Sequence, residues 1–315
     1  MSNQPELIRA SLREVTSAEG APSPYSLDWA DPSTNARLFG KLWGTYGDEP
    51  HYGVFHGTMW ASVGDRKLMP LFGYAGTGVT MCRPLEDGGV QLRGKETGWF
   101  TDLATGEVID HWDNPFTGER VEVFHFLNDR IGGALGLEMP RLAMGSSTEA
   151  TVMNESSAKV SSDGTVPFVL PWQVYGDEVL LEWDYAHRYR NPVTPERWPK
   201  ASTGEWVNPS EHFTIFASAA ELADPSLPSA SFRAGFSRLS PWWPWMRMGG
   251  SGVNGVLFGR LFSYKARRGL DDVPRPVLER TVRDAPTYLE APTDWETGPI
   301  LSSWEAYARD VAPER

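Results

Sequence analysis

The chain has 315 residues, 40% of them hydrophobic and 22% charged, with a net charge of −12. That acidity disfavours nucleic acid, whose phosphates need a basic surface, and it disfavours anionic membrane surfaces as well. Fourteen tryptophans, 31 glycines, 25 prolines and a single cysteine predict short strands joined by tight turns, with no disulfide framework and no cysteine-rich zinc site.

The N-terminal stretch "MSNQPELIRASLREV" lacks a basic segment followed by an apolar one, so no secretory signal is expected and the location reads as cytoplasmic. Leu7, Ile8, Leu12 and Val15 repeat at helical spacing and predict a short amphipathic helix over 4–17. Residues 1–37 are read as a helix and arm, and 38–315 as one β-rich domain ending in a helix. From Leu38 the chain changes to short apolar runs with turns at Gly47–Pro50 and Gly64–Arg66.

Residues 98–129 carry Thr-Gly-Glu at 105–107 and again at 117–119, each after turn-forming residues. This spacing predicts a three-stranded meander over about 96–102, 107–113 and 119–127. A further hairpin turns at Gly176-Asp177. In its return strand Val179, Leu181, Trp183, Tyr185, His187 and Tyr189 share one face, and Glu182, Asp184, Arg188 and Arg190 the other. Strands are also expected at His212–Ser218, Ser231–Ser237 and Val256–Tyr264, and a C-terminal helix capped by Ser302 or Ser303. The expected fold is mainly β, an antiparallel barrel or strongly curved sheet with short peripheral helices.

The string "FTDLATGEVIDHWDNPFTGERVEVFHFLND", with "PWWPWMRMGG" and "APTDWETGPILSSWEAYAR" downstream, resembles the bacterial and fungal family called domain of unknown function 1838. The resemblance runs from about Leu38 to Arg309. It implies one β-rich unit and assigns no residue a role.

The six histidines show no HExxH, HxH or HxxxH spacing, and neither "GTGVT" nor "GGSGVNG" has a Walker or dinucleotide pattern. No cofactor and no metal are therefore expected. His125 and His187 lie in aromatic rows. They read either as hydrogen-bonded core histidines or as neutral imidazoles able to move protons beside an aromatic cavity. Tyr185 and Asp113 complete the candidate acid–base set, with Asp113 otherwise a turn residue. Trp112, Trp183, Tyr189, Arg188, Trp242, Trp243, Trp245 and Arg247 are the candidate substrate-binding residues. At least one of the three tryptophans in 241–252 should line a pocket, with Arg247 the nearest charge to the ligand.

The function read from this toolkit is a cofactor-independent lyase or isomerase acting on a bulky aromatic small molecule. One form is elimination of formaldehyde from a lignin-derived aromatic dimer. The alternatives are a non-catalytic barrel that binds a hydrophobic ligand, and a metal-dependent oxygenase or hydrolase. No nucleic-acid or membrane partner is expected, and assembly into a homo-oligomer is left open.

Overall fold

A computed structural model describes residues 27–65, 67–140, 165–186, 188–296 and 301–314, apart from the side chains of Pro140 and Tyr185. The helix expected over 4–17 lies outside the described residues. The first described helix, α1 (Pro32–Trp43), begins where Asp31 accepts a hydrogen bond from the Thr34 amide and proline occupies the first turn, a start that satisfies otherwise orphaned donors. It runs across position 37, and its Ala36, Leu38, Phe39 and Leu42 are buried in the same interior as the strands.

Three long strands follow: β1 (Tyr52–Val63), β2 (Met69–Pro84) and β3 (Val90–Thr101). Short strands come next, namely β4 (His111–Asp113), β5 (Arg120–Glu122), β6 (Phe126–Ile131), β7 (Ala134–Leu135), β8 (Glu138–Pro140) and β9 (Thr165–Pro167). The hairpin β10 (Trp172–Tyr175) and β11 (Glu178–Ala186) precedes β12 (Tyr189–Arg190) and β13 (Trp206–Val207). The last strands are β14 (Ser210–Ser218), β15 (Phe232–Ser240) and β16 (Gly255–Lys265). Helices α2 (Ala219–Ala223), α3 (Arg275–Asp284) and α4 (Ser303–Asp310) are short.

The protein is mainly β, dominated by one antiparallel sheet in the order β10-β11-β14-β15-β16-β1-β2-β3-β6, with β7 also paired to β3. Two meanders, β1–β3 and β14–β16, join through the pairing of β1 with β16. Among the described residues no pairing links β10 to β6, so the strand order does not close.

The expected meander is only partly formed. Thr105-Gly106-Glu107 and Thr117-Gly118-Glu119 do turn, with Gly106 and Gly118 at φ of 76° and 74°, a region that favours glycine. After the first turn, however, the chain bridges only Thr101 to Val108 and then leaves the sheet. β4 and β5 form a separate ribbon, and β6 returns to pair with β3. The turn between β10 and β11 falls at Gly176 as expected, and Val179 and Leu181 are buried while Glu182 and Asp184 are exposed. α4 starts at Ser302 with a reciprocal bond to Glu305, a capping box.

Two cores flank the sheet's inner face. One is built around Trp242, Trp243, Trp245, Phe72, Phe100, Trp112 and Trp304. The other lies under α1, with Leu38, Leu42, Leu181, Ile215 and Leu222. Two buried lysines tie the helices down. Lys265 Nζ donates to the Lys41 and Gly44 carbonyls at the end of α1 and to Ser229 Oγ. Lys41 Nζ donates to the Glu221, Leu222 and Asp224 carbonyls at the end of α2. A cation on the last carbonyls of a helix satisfies orphan acceptors and complements the dipole. No described helix is long and apolar enough to cross a membrane.

Candidate active site

Strand alternation decides what faces inward. On β3, Glu96, Gly98 and Phe100 share a face, and the register sets them beside Gly78, Gly76 and Tyr74 of β2. The glycines leave that face low. A methyl at Gly98 would collide with the Tyr74 hydroxyl, and one at Gly76 would collide with the Phe55 ring. The "GTG" of 76–78 thus makes room for neighbouring side chains; it is not a phosphate loop.

On the far meander Glu211 pairs in register with Arg238, Phe213 with Phe236 and Ile215 with Ala234. Arg238 in turn sits opposite Gly259 of β16, where a methyl would press on Met59 Sδ at 2.8 Å. Small residues again leave space beside a charged one.

These faces enclose a cavity of about 490 Å³, within the range of small-molecule sites. Its wall includes Phe55, Tyr74, Glu96, Phe126, Asn128, Trp183, Tyr189, Glu211, Phe213, Arg238 and Trp243, with Phe39 and Trp43 from α1. Residues of β6 and of β11, far apart in the strand order, line this one space.

The polar groups of the wall are few and interacting. Arg238 Nη1 lies 3.0 Å from Glu211 Oε1, and both side chains are largely buried. Asn128 Nδ2 donates to Glu96 Oε1 at 3.5 Å. Burial raises the Glu96 carboxyl to about 7; the Asn128 bond opposes the rise and the Glu211 charge adds to it. Desolvation penalises the charged form, so this glutamate is poised to take or give a proton near neutrality. Burial holds Tyr74 well above the ordinary phenol range, so its hydroxyl stays protonated. Tyr189 is pushed up to about 12 for the same reason. Burial lowers Lys265, also on the wall, to about 7, and in its protonated form the bonds to α1 and Ser229 occupy all three hydrogens.

Of the residues singled out from sequence, Trp183, Tyr189 and Trp243 line this cavity. Trp242 and Trp245 do not: Trp242 packs on Phe116, and Trp245 fills the core among Phe72, Phe100 and Trp112. Trp112 is likewise a core ring, against Phe72. Arg247 is not the charge nearest the pocket. It pairs with Glu119 and Glu314 at 3.3 and 2.6 Å, from a left-handed backbone position at φ of 56°. Arg188 stacks over Trp206. Asp113 pairs with Arg120 on the exposed face of the β4–β5 ribbon, and neither lines the cavity.

His125 also lies away from it. It falls in the break between β5 and β6, its Nδ1 accepts the Phe100 amide at 3.2 Å, and Trp99 and Phe100 pack on the ring. Burial, reinforced by Arg280, depresses it to about 4, so it is neutral at physiological pH. His187 and the Tyr185 side chain lie outside the described residues; the Tyr185 backbone is in register with Glu211.

Glu96, Glu211, Arg238 and Tyr74 were not among the residues singled out. The signal was present: each interrupts an otherwise apolar or glycine row of a strand, which is where a buried polar group stands out. Among the described residues no group of three His, Cys, Asp or Glu is placed to hold a metal.

The model of the family described as "Protein of unknown function (DUF1838)" matches residues 48–311, and the chain belongs to that family. No curated protein matches the chain.

Proposed function

We propose that this DUF1838 member is an acid–base lyase that acts on a bulky aromatic small molecule in the cavity, with Glu96 as the proton-transferring group. The observation that carries the reading is a carboxyl of near-neutral pKa opening onto an aromatic-walled cavity, beside a buried Glu211–Arg238 pair. The enclosing shape is read as an open-sided barrel, curled until β6 and β11 face the same space.

The reaction that best suits this wall is redox-neutral elimination of formaldehyde from a hydroxymethyl group on a lignin-derived aromatic dimer. Glu96 takes the hydroxyl proton, and the oxygen's electrons form the C=O of formaldehyde as the adjacent C–C bond breaks. That pair becomes the new C=C bond and expels the ether oxygen on the next carbon. Glu96 then returns its proton to that oxygen, so the products are formaldehyde and a conjugated phenol. A carboxyl poised near 7 can serve in both directions. Arg238 and the protonated Tyr74 hydroxyl provide donors for the oxyanion as it develops.

Incubation of the protein with such a dimer should release formaldehyde and a stilbene chromophore in equal amounts, with kcat rising through pH 7 as Glu96 ionises. Glu96→Gln should lower kcat by about 10³-fold or more while leaving binding within about threefold. Tight binding with neither product would refute the lyase and leave a ligand-binding barrel.

A further inference from the structure

The rings of the cavity wall form two groups. Phe39 and Trp43 of α1 meet Trp183 of β11, Phe213 of β14 and Phe232 of β15, with Phe39–Trp183 centroids 4.7 Å apart and Trp43 5.8 Å from both Phe213 and Phe232. These five belong to the core under α1. Phe55, Tyr74, Phe126 and Trp243 form the second group, at 5.4, 6.1 and 5.6 Å for successive pairs through Tyr74 and Trp243, and belong to the tryptophan-rich core. The two groups are bridged by Phe236, a further wall ring packed on the tryptophan-rich core, which meets Phe213 at 4.5 Å.

Charge is divided unevenly between them. Glu96, Glu211 and Arg238 all act electrostatically on Tyr74, in the second group. Beside the first group the cation is Lys265, 5.9 Å from the Phe232 ring centre. Its three hydrogens are committed to Lys41, Gly44 and Ser229.

We propose that the Phe39–Trp43–Trp183–Phe213–Phe232 box is a subsite of its own for an uncharged aryl ring of the substrate, away from bond breaking. The oxygen-bearing part then faces Arg238 and Glu96. The assignment rests on reading the cavity as the substrate site.

Rings placed edge and face around a void offer a planar aryl group the contacts that aromatic pairs prefer. The Trp43 indole N–H has no partner in the box, but a single neutral donor replaces little of the hydration that an anionic substituent would lose there. Contacts to a non-reacting ring also supply binding energy that orients the scissile bond. The box explains why α1, outside the sheet, contributes two aromatic side chains to the cavity.

The test uses calorimetric binding to the Glu96→Gln protein, which separates binding from turnover. Stilbene-4-carboxylate can place its charge at Arg238. Stilbene-4,4′-dicarboxylate must put a second charge in the box, and should bind about 100-fold more weakly. Trp43→Leu should weaken stilbene-4-carboxylate about 10- to 100-fold and change the single-ring 4-vinylphenol by less than about threefold. Phe213→Leu is the second variant and carries the test if Trp43→Leu does not fold. Equal binding of mono- and dicarboxylate, or equal losses for one-ring and two-ring ligands, overturns the subsite. Failure of the lyase reading shows separately, as wild-type protein with this binding pattern and no product.

Discussion

The molecule holds two aromatic-rich regions of similar chemistry and different outcome. Around Trp242–Trp245 the rings are packed solid, with Trp245 inside van der Waals range of Phe72, Phe100 and Trp112. Under α1 and along β11–β15 the rings stand round a space. Two titratable groups displaced by burial make the same contrast: His125 beside the packed region and Glu96 on the cavity wall. His125 is locked by a backbone amide, the stacked Phe100 ring and the tilted Trp99 ring. Glu96 faces a void shared with other polar groups. A shifted pKa in apolar surroundings therefore does not mark a site by itself; an adjoining space that a reactant can enter is what turns it into one.

The largest effect expected from this contrast is on stability. Trp245→Ala empties a filled core and should cost about 3–5 kcal/mol by urea unfolding. Trp43→Ala, on a wall that already faces a cavity and is half-buried, should cost about 1–2 kcal/mol because fewer contacts are lost. Equal losses would show that the box is as tightly packed as the tryptophan core, and the comparison would fail.

Next come the two titrations, which have opposite signs. The His125 pKa is depressed from 6.5 to about 4, so the unfolded chain binds more protons than the native one across that window. Stability is full above 6.5 and falls as pH drops toward 4. The Glu96 pKa is raised from 4.5 to about 7, so here the native state binds more protons. Its share of stability is full below 4.5 and is lost as pH rises to 7. His125→Gln should flatten the acid limb and Glu96→Gln the limb between pH 4.5 and 7, each by on the order of 2 kcal/mol after allowance for partial solvation. Thermal unfolding across pH reads both. A Glu96→Gln protein no more stable than wild type at pH 8 would mean that the carboxylate is well solvated and not poised near neutrality.

How much of this was legible in the sequence follows from the range of the forces involved. Turns at Gly118 and Gly176 and the alternation of Val179, Leu181 and Trp183 are local, and the chain spells them out. The departure of β4–β5 from the sheet was not legible, because it depends on what β3 pairs with instead. The same holds for the site. Trp243 lines the cavity and Trp245 does not, although only Pro244 separates these identical side chains. Three-dimensional register also brings Glu211 opposite Arg238, and leaves His125 in a strand break that periodicity alone reads as continuous.

The smallest expected effect lies at the end of the tryptophan segment, and it tests whether that region is held by packing or by charge. Arg247 makes two ion pairs, to Glu119 and Glu314, with its side chain about 29% exposed. Partly exposed pairs of this kind contribute about 0–1 kcal/mol each and weaken with salt. The residue also adopts a left-handed backbone, at φ of 56°, which costs a non-glycine residue on the order of 1 kcal/mol. Arg247→Gly removes the pairs and the strain together, so unfolding free energy should change by less than about 0.5 kcal/mol. Arg247→Ala removes the pairs and keeps the strain, and should be the less stable of the two by about 1 kcal/mol. If both variants lose the same amount, ion pairing rather than backbone geometry dominates at this turn; if neither does, the tryptophan packing holds the segment without help from Arg247.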